Sequence, residues 1–211
     1  MTAGQRQPLF RLGGALRRLF AICVWGLLVV VWCRRLRIRG LENVPDWPVL
    51  VVANHSSHAD TVLLQFALAI GHRHPVLVAG AADYWFATGL RALVASAVGV
   101  FAFPRQGERG VHRARKALRR RATVIVFPQG SRAGGHFRAG VGRIAAEGGI
   151  EVVPVHIEGA DRILPRGSGW PRRGDVVVTI GRPTSIGRGD TPTEFANRLE
   201  YIVLNELARA S

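Results

Sequence analysis

The chain is short of acid and almost without lysine. Its 211 residues include 29 basic and 14 acidic side chains, for a formal charge of +15, and arginine supplies every basic residue except Lys116. A surplus of this kind suits anionic lipid surfaces and nucleic acids about equally. Cysteine is scarce as well. Cys23 and Cys33 stand ten residues apart, about 15 Å along a helix axis, which is beyond disulfide reach. They read as small apolar residues, so nothing points to a disulfide scaffold or an oxidising compartment. A fully membrane-spanning run is also missing. The stretch Leu19 to Cys33 has 15 uncharged residues between Arg17-Arg18 and Arg34-Arg35, against the roughly 20 that a spanning helix usually needs. No internal repeat and no linker divides the chain, whose length fits one domain with a substantial core.

Upstream of that stretch, Leu9, Phe10, Leu12 and Leu16 alternate with Arg6, Arg11 and Arg17. Residues 1–40 are therefore expected to form a membrane-anchoring helix or helix pair that dips into one leaflet, its arginines snorkelling to the headgroups. A short tilted span and a helix buried in the protein are the alternatives. Arg17-Arg18-Leu19-Phe20 also looks like a twin-arginine export signature. Val31-Trp32-Cys33-Arg34 lacks the small-x-small cleavage site that export requires. The expected location is the cytoplasmic face of the plasma membrane.

Residues 41–211 alternate between two periods. Strands are predicted at Leu50–Ala53, Val76–Ala79, Val98–Phe103, Thr123–Phe127, Glu151–Ile157 and Val176–Ile180. Helices are predicted at Thr61–Ile70, Ala82–Ala95, Val111–Arg121, Ala139–Glu147 and Thr193–Ala208, the last with Pro192 as a first-turn residue. Leu164–Gly174, rich in Pro and Gly, reads as a surface loop. Such alternation predicts an α/β domain with a mostly parallel central sheet covered by helices.

Chemistry gathers where the predicted strands end. Asn54-His55-Ser56-Ser57-His58-Ala59-Asp60 follows the first strand. Residues five apart on one helix point about 140° away from each other, but across a strand–turn–helix bend His55 and Asp60 can meet. A carboxylate there fixes the imidazole tautomer and supports the charge it gains as a general base. Phe127-Pro128-Gln129-Gly130-Ser131-Arg132 follows Thr123-Val124-Ile125-Val126. In it Pro128 ends the strand, Gly130 permits a tight turn and Arg132 offers a rigid fork suited to phosphate. Between them, Gly99-Val100-Phe101-Ala102-Phe103-Pro104-Arg105 also ends in Pro and Arg. Ligands of open α/β sheets bind at the carboxyl ends of strands.

At these residues the chain resembles the PlsC-type glycerolipid acyltransferases, which include the 1-acylglycerol-3-phosphate acyltransferases. The family motif N-H-x-S-x-x-D is matched by Asn54, His55, Ser57 and Asp60. The motif G-x-I-F-I-D-R is matched in part by Gly99 and Arg105, with Pro104 where Asp is usual. F-P-E-G-T-R appears as Phe127, Pro128, Gln129, Gly130, Ser131 and Arg132, and a V-P-V strand as Val153-Pro154-Val155. Four motifs in order over Pro48 to Pro183 are far more specific than one.

The resemblance implies transfer of a fatty acyl group from acyl-CoA or acyl carrier protein to the hydroxyl of a lysophospholipid, 1-acylglycerol-3-phosphate giving phosphatidic acid. It assigns the general-base pair to His55 and Asp60, and phosphate binding to Arg105 and Arg132, with Gln129, Gly130 and Ser131 completing that wall. It implies no covalent acyl-enzyme, no metal and no cofactor beyond the co-substrate. Gln129 stands where the family has Glu; it keeps an acceptor oxygen and loses the charge, which leaves a different lyso-lipid or an amino-lipid as alternative acceptors.

Two other readings start from single features. His55 and His58 loosely resemble a metallo-β-lactamase H-x-H-x-D-H pattern, but the spacing is one residue too long and residue 61 is Thr. Arg109–Arg121 holds seven basic residues in thirteen, which fits a solvated helix face or a contact with anionic headgroups or donor phosphates. It also opens a non-catalytic reading as a basic membrane- or nucleic-acid-binding protein. No nucleic-acid motif and no interleaved aromatic platform accompanies it, so nucleic acid is not expected as a partner. His72, His74, His112, His136 and His156 show no ligand-like spacing, and most are expected on the surface or in loops.

Overall fold

A strand covered on both faces needs apolar residues at nearly every position, and Leu50-Val51-Val52-Ala53 meets that demand. A computed structural model of the chain describes residues 19, 21–81, 88, 89, 95, 99–104, 108–132, 134–146, 149–168 and 170–211. In it those four residues form β2 (Leu50–Ala53), fully buried at the centre of the sheet.

The elements follow in chain order. A π-helical turn at Ala21–Trp25 leads into α1 (Gly26–Trp32) and β1 (Cys33–Arg39). After β2 come α2 (Ala59–Gly71), β3 (Val76–Ala81), β4 (Val100–Phe103), α3 (Glu108–Arg119), β5 (Thr123–Val126) and α4 (Gly140–Ala146). β6 (Val152–Glu158), the short α5 (Ala160–Ile163), β7 (Gly174–Ile180) and α6 (Pro192–Tyr201) complete the set, α6 continuing through a π-helical turn to Arg209. The described strands form one seven-stranded sheet in the order β1-β7-β6-β2-β5-β3-β4. All pairs are parallel except β6 with β7. The expected mostly parallel α/β sheet is what the chain forms. The helix expected at Ala82–Ala95 falls largely outside the described residues.

Alternate strand residues feed two cores. Val49, Val51, Ala53, Ile125 and Val153 point to one face, where the π-helical turn, α1 and α2 bring Trp25, Val29, Leu63, Leu64 and Leu68. Leu50, Val52, Val124, Val126 and Val152 point to the other, where α3, α4 and α6 bring Leu118, Ile144 and Phe195. α6 opens with a reciprocal cap: Thr191 accepts from the Glu194 backbone N–H, while the Glu194 carboxylate accepts from that of Thr191. Of the five histidines mostly expected on the surface or in loops, His72 is buried, with Nε2 2.6 Å from Thr123 Oγ1, which also accepts from Val49 N.

The N-terminal region departs from expectation. Cys33–Arg39 is an edge strand, paired with β7, so the sheet reaches back across the boundary expected at residue 40. Its burial alternates, with Leu36 and Ile38 half-buried and Arg35, Arg37 and Arg39 exposed. The period of two was there to be read, and charged side chains on an edge strand also discourage edge-to-edge pairing. α1 does not lie free as a leaflet helix: Trp25 and Val29 belong to the core. Among the described residues no helix is long and apolar enough to cross a membrane. Residues 1–18 lie outside them.

Candidate active site

The carboxyl end of β2 delivers His55, and the first turn of α2 delivers Asp60. Between them the chain bends sharply enough that His55 Nδ1 lies 2.9 Å from Asp60 Oδ2. The backbone N–H groups of Ser56 and Ser57 donate to the same oxygen at 2.7 and 2.8 Å. Asp60 is fully buried, whereas the His55 side chain keeps 15% of its surface exposed. With the carboxylate accepting, Nδ1 carries the ring proton and Nε2 is the basic nitrogen.

Other bonds hold this bend against its neighbours. Asn54 makes two bonds of 2.8 Å to β6, Nδ2 donating to Ile157 O and Oδ1 accepting from Ile157 N. Ser57 Oγ donates to Leu164 O at 2.9 Å and accepts from Ala59 N at 3.1 Å. The His55 ring stacks on Phe127, with centroids 4.2 Å apart and planes tilted by 21°. Gln129 Oε1 accepts from the His55 backbone N–H at 2.8 Å. Gln129, expected in the phosphate wall, thus turns its side-chain oxygen to the loop that carries His55. A neutral amide supplies that acceptor as well as a carboxylate does.

A cavity of about 570 Å³ opens beside the pair. Gly130, Ser131 and Arg132, from the segment after β5, line it. Arg138, Arg143 and Arg166 also line it, as do the apolar Val111, Val126, Val141 and Ile144. Gly130 sits at φ 71°, and a β-carbon there would stand 3.0 Å from the Arg138 guanidinium carbon; glycine allows both the turn and the close approach. Gly99, the glycine of the second motif, likewise adopts φ 73° just before β4. Arg105 lies outside the described residues. Sequence reading missed Arg138, Arg143 and Arg166. Arg138 follows Gly130 closely enough to be found from the turn, but the other two come from distant segments with no local pattern.

His58 also lines the cavity. Burial, reinforced by the charge of Arg132 and by His55, lowers its pKa to about 4. Among the described residues no group of three or more His, Cys, Asp and Glu is placed to hold a metal ion. The depressed value has a consequence for stability. An unfolded histidine titrates near 6.5, so between about 6.5 and 4 the unfolded chain binds more protons than the folded one. Stability therefore falls as pH drops through that window, and nothing is lost above it. The melting temperature of His58→Gln is expected to fall less steeply than wild type between pH 6.5 and 4; parallel curves would remove His58 as the source.

Comparison with known proteins places the chain in a family. The model of the family described as Acyltransferase matches residues 35–158. The chain is 29% identical over 182 residues to a chloroplastic 1-acyl-sn-glycerol-3-phosphate acyltransferase of Arabidopsis thaliana, covering 81% of this chain and 49% of that one. To the chloroplastic enzyme of that name from Brassica napus it is 30% identical, covering 81% and 51%. The chain thus spans about half the length of these relatives. A 1-acyl-sn-glycerol-3-phosphate acyltransferase of Pseudomonas aeruginosa is 26% identical, with 85% and 76% covered. In fold, the crystal structure of the 1-acyl-sn-glycerophosphate acyltransferase PlsC from Thermotoga maritima superposes with a TM-score of 0.70 at 22% identity, over 93% of this chain and 79% of that one. The chain belongs to the acyltransferase family, with the PlsC-type motif order its sequence displays.

Proposed function

We propose that this chain transfers a fatty acyl group from a thioester, acyl-CoA or acyl-carrier protein, to the free hydroxyl of a lysophospholipid, 1-acylglycerol-3-phosphate giving phosphatidic acid. The observation that carries the reading is the His55–Asp60 pair beside a cavity lined by both arginines and apolar side chains. An acceptor with a phosphate headgroup and an acyl chain needs both kinds of lining.

In this mechanism His55 Nε2 takes the proton of the acceptor hydroxyl as its oxygen attacks the thioester carbonyl. The C–O bond forms, the tetrahedral intermediate collapses with breakage of the C–S bond, and the imidazolium returns the proton to the departing sulfur. Asp60 holds the tautomer and supports the transient positive charge. Arg132, Arg138 and Arg166, together with Arg105, hold the phosphate through charge-assisted bonds. The thioester supplies the activated acyl group, so the scheme needs neither metal nor a further cofactor. Gln129 acts through the backbone of His55 and leaves the usual acceptor in place.

His55→Ala is expected to abolish transfer from radiolabelled acyl-CoA to 1-acylglycerol-3-phosphate, and Asp60→Asn to lower kcat on the order of 10⁴-fold. Gln129→Glu should keep activity within about threefold because it keeps the acceptor oxygen. Gln129→Met should lower kcat with little change in KM for the lysolipid. A fully active His55→Ala enzyme would end the general-base assignment.

The same reading places the chain at a membrane surface, on its cytoplasmic face, because the acceptor resides there. α1 supports this with exposed Leu27, Val30 and Val31. Trp170 is 84% exposed in the loop that Arg173 ties to α1 by donating to Val30 O at 3.1 Å. An apolar patch with a tryptophan and neighbouring arginines fits an interfacial contact. Replacing Leu27, Val30 and Val31 together by Glu is expected to release the protein from anionic vesicles in sedimentation while leaving its melting temperature close to wild type. Undiminished sedimentation would move the contact elsewhere.

A further inference from the structure

α3 carries a dense run of exposed positive charge. Its buried residues, Gly110, Val111, Ala114, Ala117 and Leu118, recur at helical spacing and face the sheet. The opposite side and the turn that follows expose Arg109, Lys116, Arg119, Arg120 and Arg121. Among the described residues no acidic side chain pairs with any of these five. The helix's one carboxylate, Glu108, pairs instead with Arg143 of α4. Arg113 is used internally, donating to Ala102 O at 2.8 Å. Five cations with no acidic partner among the described residues repel each other, and their arrangement favours a partner that brings negative charge.

Position decides between a lipid and a protein partner. α3 packs on one face of the sheet, in the core with Val124 and Val126, while α1 packs on the other, with Val51 and Ile125. The apolar surface of Leu27, Val30 and Val31 and the basic surface of α3 therefore lie on opposite sides of the molecule. With α1 against lipid, α3 is turned to the aqueous phase. Yet α3 is also a wall of the cavity, through Val111, and Glu108 ties it to α4, which supplies Val141, Arg143 and Ile144 to the same cavity.

We propose that the exposed basic face of α3 docks a soluble acidic carrier protein that presents the acyl thioester to the cavity. The inference rests on the acyl-transfer reading above and names the partner for its donor side. The carrier meets α3 from solvent while the lysolipid enters from the membrane side, so the two substrates approach without competing for one surface. Electrostatic steering of this kind acts chiefly on encounter and is screened by salt.

The test compares one acyl chain on two donors, acyl carrier protein and CoA, with wild type and with a variant carrying Arg109→Glu, Lys116→Glu, Arg119→Glu and Arg120→Glu. The acceptor is 1-acylglycerol-3-phosphate in detergent micelles, and vesicle sedimentation is run in parallel. The expected result is a fall of about 30-fold or more in kcat/KM for the carrier-protein donor, an order of magnitude taken from electrostatically steered association, with the CoA rate within about twofold and sedimentation unchanged. Added salt should reproduce the loss in wild type and have little effect on the variant. Three results overturn the proposal: unchanged carrier kinetics, an equal fall with both donors, which assigns the face to donor phosphates, or lost sedimentation, which assigns it to lipid. Wild-type protein inactive with both donors would instead overturn the acyl-transfer reading itself.

Discussion

One carboxylate oxygen organises the site. Asp60 Oδ2 gathers the His55 ring N–H and the backbone N–H groups of Ser56 and Ser57 within 2.9 Å. Burying a charge without partners is expensive, so the fully buried Asp60 is compatible with the fold only while the chain bends to bring these donors to it. The bend is thus not a loop that happens to carry a histidine. One of the bonds that offset the burial of Asp60 is the bond that orients the His55 ring.

The surroundings make that bend stiff. Asn54 fastens its start to β6, Ser57 fastens its middle to Leu164, and Gln129 fastens the His55 backbone to the segment after β5. Three strand ends and one loop therefore converge on a run of seven residues. Placing reactive groups at the carboxyl ends of parallel strands makes this possible, because neighbouring strands end side by side. The cavity draws its mixed lining from the same layout. The segment after β5 brings Arg132 and Arg138, and the helices that pack on the sheet bring Val111, Val141 and Ile144 together with Arg143.

Much of this was legible in the sequence because the information is local. The β2 and β5 segments are short apolar runs, and the residues that end them carry the chemistry. The meeting of His55 and Asp60 follows from a strand–turn–helix bend that five residues can span. Three things were not legible for physical reasons. The bond from Gln129 to the His55 backbone joins segments 74 residues apart, and nothing in either segment announces the other. Arg143 and Arg166 reach the cavity from separate elements with no motif around them. β1 was different, since Leu36 and Ile38 alternate with arginines in plain view. The apolar stretch before it, 15 uncharged residues from Leu19 to Cys33, outweighs so short an alternation when the segment is read by hydropathy.

The short α1 and the charged α3 show how one sheet can serve two environments. A parallel sheet must be covered on both faces, and here the two coverings differ in what they leave outside. α1 exposes Leu27, Val30 and Val31, whereas α3 exposes arginine and lysine. Had both properties fallen on one face, the charge surplus would read simply as attraction to anionic lipid. Their separation by the sheet changes the argument. A net charge of +15 is a sum, and a sum carries no direction. Only the fold shows that part of it points away from the apolar helix, toward whatever arrives from water.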